Sequence, residues 1–276
     1  MFGILVNALA WLVVAFAVDQ AQYLICGKNY GSPWNGIGCI KSTLAKKAGA
    51  PMVYRVLVPW LWWLLRKAGI RALEAYELLK IILLACALWS VELAWGREIA
   101  VFTAVLLPMT FMYDYWDYTA ELIGINLALT GDIRLGLIGV VVFALSRETA
   151  VLSALAYWCA SFDLEGAGII ACLALFIWVA LRMIQGEHKL YCDRWMWKEN
   201  IKAVKGMLAP GRPWWMQSIP AALVITVLSV IGAATTGIQG VIPLAILAAG
   251  WLMGKADETR IFAACLPWIA KLLTYA

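Results

Sequence analysis

Residues 75–95 read AYELLKIILLACALWSVELAW, a run that is apolar at most positions. A helix that crosses a membrane needs about 20 predominantly apolar residues, and this run reaches that length. A membrane-spanning β-strand would instead show about ten residues of alternating polarity. The run therefore predicts a membrane-spanning α-helix, and it favours an all-α fold for the chain.

The apolar character extends along the whole chain. Its 276 residues are 64% hydrophobic and 14% charged, with 16 Trp and 10 Tyr, whereas a soluble domain is about 45–50% apolar and about 25% charged. Residues 1–276 are therefore predicted to form a single integral membrane domain. Residues 2–18 lack a basic leader and a cleavage site, which predicts a retained first helix and not a signal peptide.

Polar breaks divide the chain into roughly nine or ten hydrophobic helices, several of them shorter than a bilayer crossing. Short helices predict hairpins that stop inside the protein. Between them we predict a first external loop at 19–73, with an interfacial or re-entrant helix at 54–65, and a polar amphipathic loop at 185–218. The apolar runs are 3–18, 75–95, 99–112, 119–130, 135–145, 150–160, 167–184, 219–233, 241–253 and 261–273.

The net charge, the Cys and His content and the absence of known catalytic motifs argue against several classes of function. The net charge is +5, and the basic residues flank apolar runs, which favours membrane lipid as a partner and argues against nucleic acid. A single His and the absence of a CxxC pair argue against a Cys/His metal site. No Walker loop, HExxH, GxSxG or dinucleotide motif occurs. Cys26 and Cys39 share a polar loop and could form a disulfide, although we expect two thiols.

Charges at membrane depth are costly and usually mark a function or an ion pair. Asp19 follows the first apolar run. It is either a general base or metal ligand, or a helix-end charge among lipid headgroups, and its position favours the headgroups.

The Tyr113–Tyr118 segment combines two acids with four aromatic rings. Asp114 and Asp117 are three residues apart and share a helical face. Paired carboxylates can hold a divalent ion or divide acid and base roles. The rings of Tyr113 and Trp116 could stack on a sugar or a prenyl chain. An interfacial aromatic belt with incidental charges explains the same pattern equally well.

Two acid-and-arginine pairs complete the candidates. Arg147, beside Glu148, could bind a phosphate through its planar fork of donors. The alternative is a solvated hairpin tip, and we favour the phosphate because an Arg at membrane depth needs an acceptor. Glu258 and Arg260 repeat the pattern, and there we favour a solvated position.

Taken together, the layout resembles the type-C-fold membrane glycosyltransferases, which take sugars from polyprenyl-phosphate carriers. The resemblance rests on Asp19 after the first helix, a loop with Tyr54-Arg55 through Pro59, the acid Asp114, Arg147 in Ser-Arg-Glu-Thr-Ala, and a late Glu-x-Arg at 258–260. It covers roughly residues 1–150 and 255–268.

The resemblance implies transfer of a sugar from a lipid-linked donor to an external acceptor. Asp19 would be the base or the metal-binding acid, Asp114 would shape the site, and Arg147 would contact the carrier phosphate. The resemblance allows a divalent cation as cofactor. It implies a multi-pass protein of a prokaryotic cytoplasmic membrane.

Two other functions stay open at the level of sequence: a carrier or flippase for a lipid-linked or anionic substrate, and a structural subunit with membrane protein partners. The side of the membrane on which the candidate residues lie distinguishes these two functions from the glycosyltransferase. If 54–65 does not span, Asp19, Asp114, Arg147 and Glu258 share one side of the membrane. If 54–65 does span, Asp19 lies apart from the others, and the positive-inside tendency is better satisfied.

Overall fold

The protein is described by a computed structural model over residues 2–26, 33–48, 55–110, 115–186, 218–253 and 259–274, with short helical pieces at 198, 201–202 and 204. Apart from those pieces, the described residues form twelve α-helices and four 3-10 segments, with no strand among them. The predicted all-α class is confirmed.

The α-helices are α1 Phe2–Cys26, α2 Pro33–Leu44, α3 Leu57–Lys67, α4 Ala72–Trp95, α5 Arg97–Leu106, α6 Tyr115–Leu129, α7 Ile133–Ala144, α8 Leu152–Ser161, α9 Leu164–Gln185, α10 Ser218–Ala234, α11 Val241–Met253 and α12 Leu266–Thr274. The 3-10 segments are Leu107–Thr110, Glu148–Val151, Gly237–Gly240 and Thr259–Cys265.

Three of the described helices are long and apolar enough to cross a membrane: Leu5–Leu24 with 20 residues, Ala72–Trp95 with 24 and Leu164–Gln185 with 22. Six further apolar helices have only 10–17 residues. The long helices indicate a membrane protein, and each of the apolar runs predicted from the sequence coincides with helix over its described residues.

Helix α4 lies at the centre of the bundle. Half of its span is buried, against 28% for α1 and 22% for α9. It packs on α1, α3, α5 and α6, and it contributes the fully buried Leu84 and Leu88 to the core. The run that fixes the fold class in the sequence is therefore also the element on which the other helices assemble.

Helices α6 and α7 approach each other closely because two glycines face each other. A Cβ on Gly124 would lie 2.6 Å from the Phe143 Cβ and 3.0 Å from the Gly139 carbonyl oxygen. A Cβ on Gly139 would lie 2.9 Å from the Gly124 carbonyl oxygen. Small residues of this kind let membrane helices pack backbone to backbone.

Asp163 sets the start of α9. Its carboxylate accepts from the Gly166 backbone N–H at 3.0 Å and from the Tyr157 hydroxyl at 3.0 Å. The Gly166 N–H is the larger cause, ahead of the Tyr157 hydroxyl, that holds the pKa of Asp163 below its usual range. This cap supplies a partner for one of the four backbone N–H groups that a helix start leaves unpaired.

The structure corrects the prediction for the first loop. Helix α1 does not end near Asp19 but continues to Cys26. The helix can pass through this residue because the Asp19 carboxylate is paired with the Lys80 ammonium inside the bundle. The predicted external loop 19–73 thus contains the end of α1, all of α2 and all of α3. Most of the predicted loop 185–218 lies outside the described residues.

Helix α3 corresponds to the helix predicted at 54–65. Its 11 residues extend about 16 Å, roughly half of a bilayer core. The Trp62 indole N–H donates to the carbonyl oxygen of Ala72, the first residue of α4, at 3.0 Å. The helix therefore folds back onto the start of α4 and is too short to cross the bundle.

We expect Gly124→Leu to destabilise the α6–α7 contact. Overpacking of a filled core costs about 1–3 kcal/mol, and the new side chain would meet Phe143 and the Gly139 backbone. The measurement is the thermal unfolding midpoint of the protein purified in detergent. Gly168→Leu on α9 is the matched control, since no atom lies within 4 Å of a Cβ there. Equal midpoints for the two variants would contradict the close packing.

Candidate functional site

Two polar contacts fix the direction and register of α1 against α4. Near one end, the Lys80 ammonium contacts the Asp19 carboxylate, with Nζ 2.9 Å from Oδ1. Near the other end, the Asn7 amide and the Trp11 indole donate to Glu92 Oε2 at 2.7 and 2.6 Å. Asn7 and Asp19 are as far apart along α1 as Lys80 and Glu92 are along α4. The two helices are therefore antiparallel, and we name the two ends of the bundle the Lys80 end and the Glu92 end.

The same reasoning orients α6. The Trp95 indole N–H, on the last residue of α4, donates to the Asn126 side-chain oxygen at 2.8 Å. Helix α4 ends at Trp95, and the two helices pack along each other. The turns of α6 that precede Asn126 therefore lie beside the turns of α4 that precede Trp95. The start of α6 at Tyr115 therefore points toward the Lys80 end.

Lys80 is shared by two carboxylates. Its Nζ lies 2.9 Å from Asp19 Oδ1 and 2.6 Å from Glu77 Oε2. The side chains of Lys80 and Asp19 are only 4% and 7% exposed, whereas that of Glu77 is 39% exposed. Removing one member of a buried ion pair leaves an uncompensated charge. Lys80 is thus required to hold Asp19 inside the helix pair.

This pairing bears on the role that the resemblance implies for Asp19. A divalent cation bound to the Asp19 carboxylate would lie against the Lys80 ammonium, and the two positive charges would repel each other. Residues 19 and 80 therefore do not fit a metal site. Among the residues that the structure describes, no group of three or more His, Cys, Asp or Glu is placed to hold a metal ion.

Arg147 lies inside the bundle with an acid from α6. Its Nη1 is 2.6 Å from Glu121 Oε2, and the two side chains are 15% and 4% exposed. Its guanidinium carbon lies 4.3 Å from the centroid of the buried Tyr118 ring, which is the geometry of a cation–π contact. The alternative of a solvated hairpin tip is therefore wrong for the Arg147 side chain.

The segment that begins at Arg55 contacts the chain just before Arg147 through backbone hydrogen bonds. The amides of Val56 and Leu57 donate to the Leu145 carbonyl oxygen at 2.8 and 3.0 Å. Leu145 follows the last residue of α7, where helix carbonyls lack intrahelical partners. The start of α3 supplies donors for this carbonyl, so the segment that begins at Arg55 is hydrogen-bonded to the chain two residues before Arg147.

Three residues with hydroxyl side chains lie within six residues of Arg147 in the sequence. The side-chain oxygens of Ser146, Thr149 and Ser153 are buried and have no hydrogen-bond partner among the described residues. A buried polar group without a partner costs about 1–3 kcal/mol. Such groups are usually satisfied by water or a ligand. The chain from Ser146 to the first turn of α8 is therefore rich in donors for an oxygen-bearing ligand.

The remaining predicted site residues divide into two groups. Some have a described backbone only: Trp116 and Asp117 lie in the first turn of α6, Glu148 opens the 3-10 segment after Arg147, and Arg260 lies in the segment Thr259–Cys265, which packs on α6. Outside the described residues lie Tyr113, Asp114 and Glu258. The Cys26 side chain is also outside them, so the disulfide with Cys39 stays a prediction.

The sequence does not predict the partners of three contributors to the site: Lys80, Glu121, which is one of the charges at membrane depth, and Tyr118 in its contact with Arg147. For Lys80, the signal is a lysine three residues after a glutamate within an otherwise apolar run. For Glu121, it is an acid inside the apolar run that follows the aromatic cluster. Both charges need partners at membrane depth, but the partners belong to distant helices.

Comparison of the chain with protein families, with curated proteins and with solved structures gives no match.

We expect Lys80→Met to destabilise the bundle strongly, because it removes the ammonium that contacts the buried Asp19 carboxylate. Breaking a buried pair in this way costs about 3–5 kcal/mol. The double variant Asp19→Asn/Lys80→Met removes both charges and should recover most of that loss. The measurement is unfolding in detergent by heat or denaturant.

Arg71→Met is the matched control. It breaks the i,i+3 pair with Glu74 at the start of the same helix, where the side chains are 82% and 50% exposed. Exposed pairs contribute about 0–1 kcal/mol. A Lys80→Met protein as stable as the Arg71→Met protein would contradict the buried ion pair.

Proposed function

We propose that the chain is a multi-pass integral membrane protein of roughly nine or ten hydrophobic helices, several of which stop short of a full crossing. The three long apolar helices support this. So do the exposed apolar side chains of α1 and α9, among them Leu24, Phe176 and Met183. Apolar surface of this extent is costly in water and natural in lipid.

We further infer that the Lys80 end binds a lipid-linked substrate and that the protein is a membrane glycosyltransferase using a polyprenyl-phosphate donor. The observation that carries this proposal is the pairing of the Arg55 and Arg147 segments at the Leu145 carbonyl. Beside them are buried hydroxyls without described partners. Arginine forks and hydroxyl donors are groups that recognise phosphate oxygens.

In this proposal the residues have distinct roles. Arg55, Arg147 and the hydroxyls of Ser146 and Thr149 hold the phosphate of the carrier, which leaves when the bond between sugar and phosphate oxygen breaks. The acceptor hydroxyl forms the new bond to the sugar and loses its proton to a carboxylate, for which Asp117 at the start of α6 is our candidate. Asp19 acts through its ion pair with Lys80 and not as a metal ligand.

A carrier or flippase for the same lipid-linked class is the second candidate. It is favoured by the Asp19–Lys80–Glu77 cluster, because charged residues inside a helix bundle often line substrate and ion pathways. A carrier would move the lipid-linked molecule across the membrane without forming a covalent product.

Transfer is tested with membranes that contain the full chain, radiolabelled polyprenyl-phosphate sugars and an extract of candidate acceptors. We expect a labelled product for the wild type. We expect a loss of about tenfold or more for Arg55→Gln, corresponding to one charge-assisted phosphate contact of about 1.5–3 kcal/mol. Arg134→Gln is the matched control, since Arg134 is an exposed arginine at the start of α7.

Two outcomes would count against the enzyme. Equal product from Arg55→Gln and Arg134→Gln would remove Arg55 from the site. Movement of the labelled lipid across vesicle membranes without any covalent product would replace the transferase with the carrier.

A further inference from the structure

The first part of the chain has an extreme charge distribution. Residues 20–73 contain eight Lys or Arg and no Asp or Glu. The rest of the chain holds the other 14 of the 22 basic residues together with all 17 acidic ones. All the excess positive charge of the protein therefore lies in this one segment.

The fold concentrates part of that charge at the Lys80 end. Helices α2 and α3 pack on each other and on the first half of α4, where Gly36 of α2 contacts the Tyr76 ring. Both helices end in exposed basic residues. Lys46 and Lys47 follow α2, and Arg66 and Lys67 close α3.

Exposed aromatic and apolar side chains accompany these cations on α3. Trp60, Trp63 and Leu64 are 41%, 47% and 54% exposed. The Lys67 ammonium lies 5.5 Å from the Trp63 ring centroid, and the Arg66 guanidinium lies 5.9 Å from that of Trp62. A short helix with exposed Trp and Leu beside Lys and Arg is the composition of a helix lying in a membrane interface.

The patch continues to the end of α9. The Lys46 ammonium donates to the Ile184 carbonyl oxygen at 2.7 Å. Arg182, in the last turn of α9, is exposed and stacks 4.1 Å from the Trp178 ring centroid. The end of a candidate membrane span is thus directly joined to the basic surface.

We propose that this surface, formed by Lys46, Lys47, Trp60, Trp63, Arg66 and Lys67 and here named the α2–α3 surface, binds the headgroups of anionic phospholipids. The charges match an anionic lipid layer, near which each Lys or Arg strengthens binding by about fivefold. The exposed rings and Leu64 suit the adjoining acyl boundary. A nucleic acid would match the charges but not the exposed apolar side chains. The contact between Lys46 and Ile184 also places this surface beside the end of a candidate membrane span. This proposal rests on the proposed membrane insertion of the chain and is independent of the proposed sugar transfer.

The test uses the full chain purified in a neutral detergent and titrated with phosphatidylglycerol or with phosphatidylcholine of the same acyl chains. Binding is followed by native mass spectrometry and by the thermal unfolding midpoint. We expect phosphatidylglycerol to bind at least about tenfold more tightly and to raise the midpoint more. Added salt should reduce the difference by screening the charges.

The variant Lys46→Gln/Lys47→Gln/Arg66→Gln/Lys67→Gln should lose the preference for phosphatidylglycerol. Lys67→Gln alone should lose about fivefold in affinity, whereas the matched control Arg134→Gln should lose none. Equal binding of the two lipids by the wild type, or an unchanged preference in the fourfold variant, would overturn the proposal. Full competition by glycerol phosphate at equal concentration would also overturn it, because a small-anion pocket would then explain the binding.

Discussion

The ion pair between Asp19 and Lys80 is the constraint on which the rest of the structure depends. Both charges are buried between two long apolar helices, and neither is tolerable there without the other. The pair therefore fixes how α1 sits against α4, and the Asn7–Glu92 contact repeats the same register at the other end. With α1 and α4 locked antiparallel, the remaining helices assemble around α4.

The candidate site follows from this frame. Trp95 and Asn126 orient α6 so that its first turns, including Tyr118 and Glu121, point toward the Lys80 end. Glu121 in turn holds Arg147, and the chain around Arg147 receives the start of α3 at Leu145. Arg147, its contacts on α6 and the start of α3 are far apart in the sequence and are thus brought together. A site for a lipid-linked substrate requires that arrangement, and it is what the proposed transferase and the proposed carrier have in common.

Sequence alone is sufficient for much of the fold, because a run such as 75–95 can only be accommodated as an apolar helix. The helix breaks at Gly96 and Gly131 can also be predicted from the sequence, because glycine adopts positive φ angles more readily than other residues. The structure gives φ angles of 89° and 72° at these two residues. The length of α1 is not predictable from the sequence, because an acid at position 19 fits both a helix end and a buried ion pair, and the sequence does not show that Lys80 is its partner. The candidate site divides in the same way. Arg147 is identifiable as a charge in need of an acceptor, but Glu121 and Tyr118 become its neighbours or counterparts only through contacts between distant helices.

The sidedness of the two ends tests the account most directly. Single cysteines would be placed at Lys47 and Lys67, exposed at the Lys80 end, and at Arg134 and Phe162, exposed in the first turn of α7 and in the turn before α9. The background would lack the seven native cysteines, and intact cells would be treated with a membrane-impermeant thiol reagent before and after permeabilisation. A bundle that crosses the membrane with α3 folded back predicts that Lys47 and Lys67 label from one side and that Arg134 and Phe162 label from the other. Labelling of all four from the same side, or of Lys47 and Lys67 from opposite sides, would contradict it.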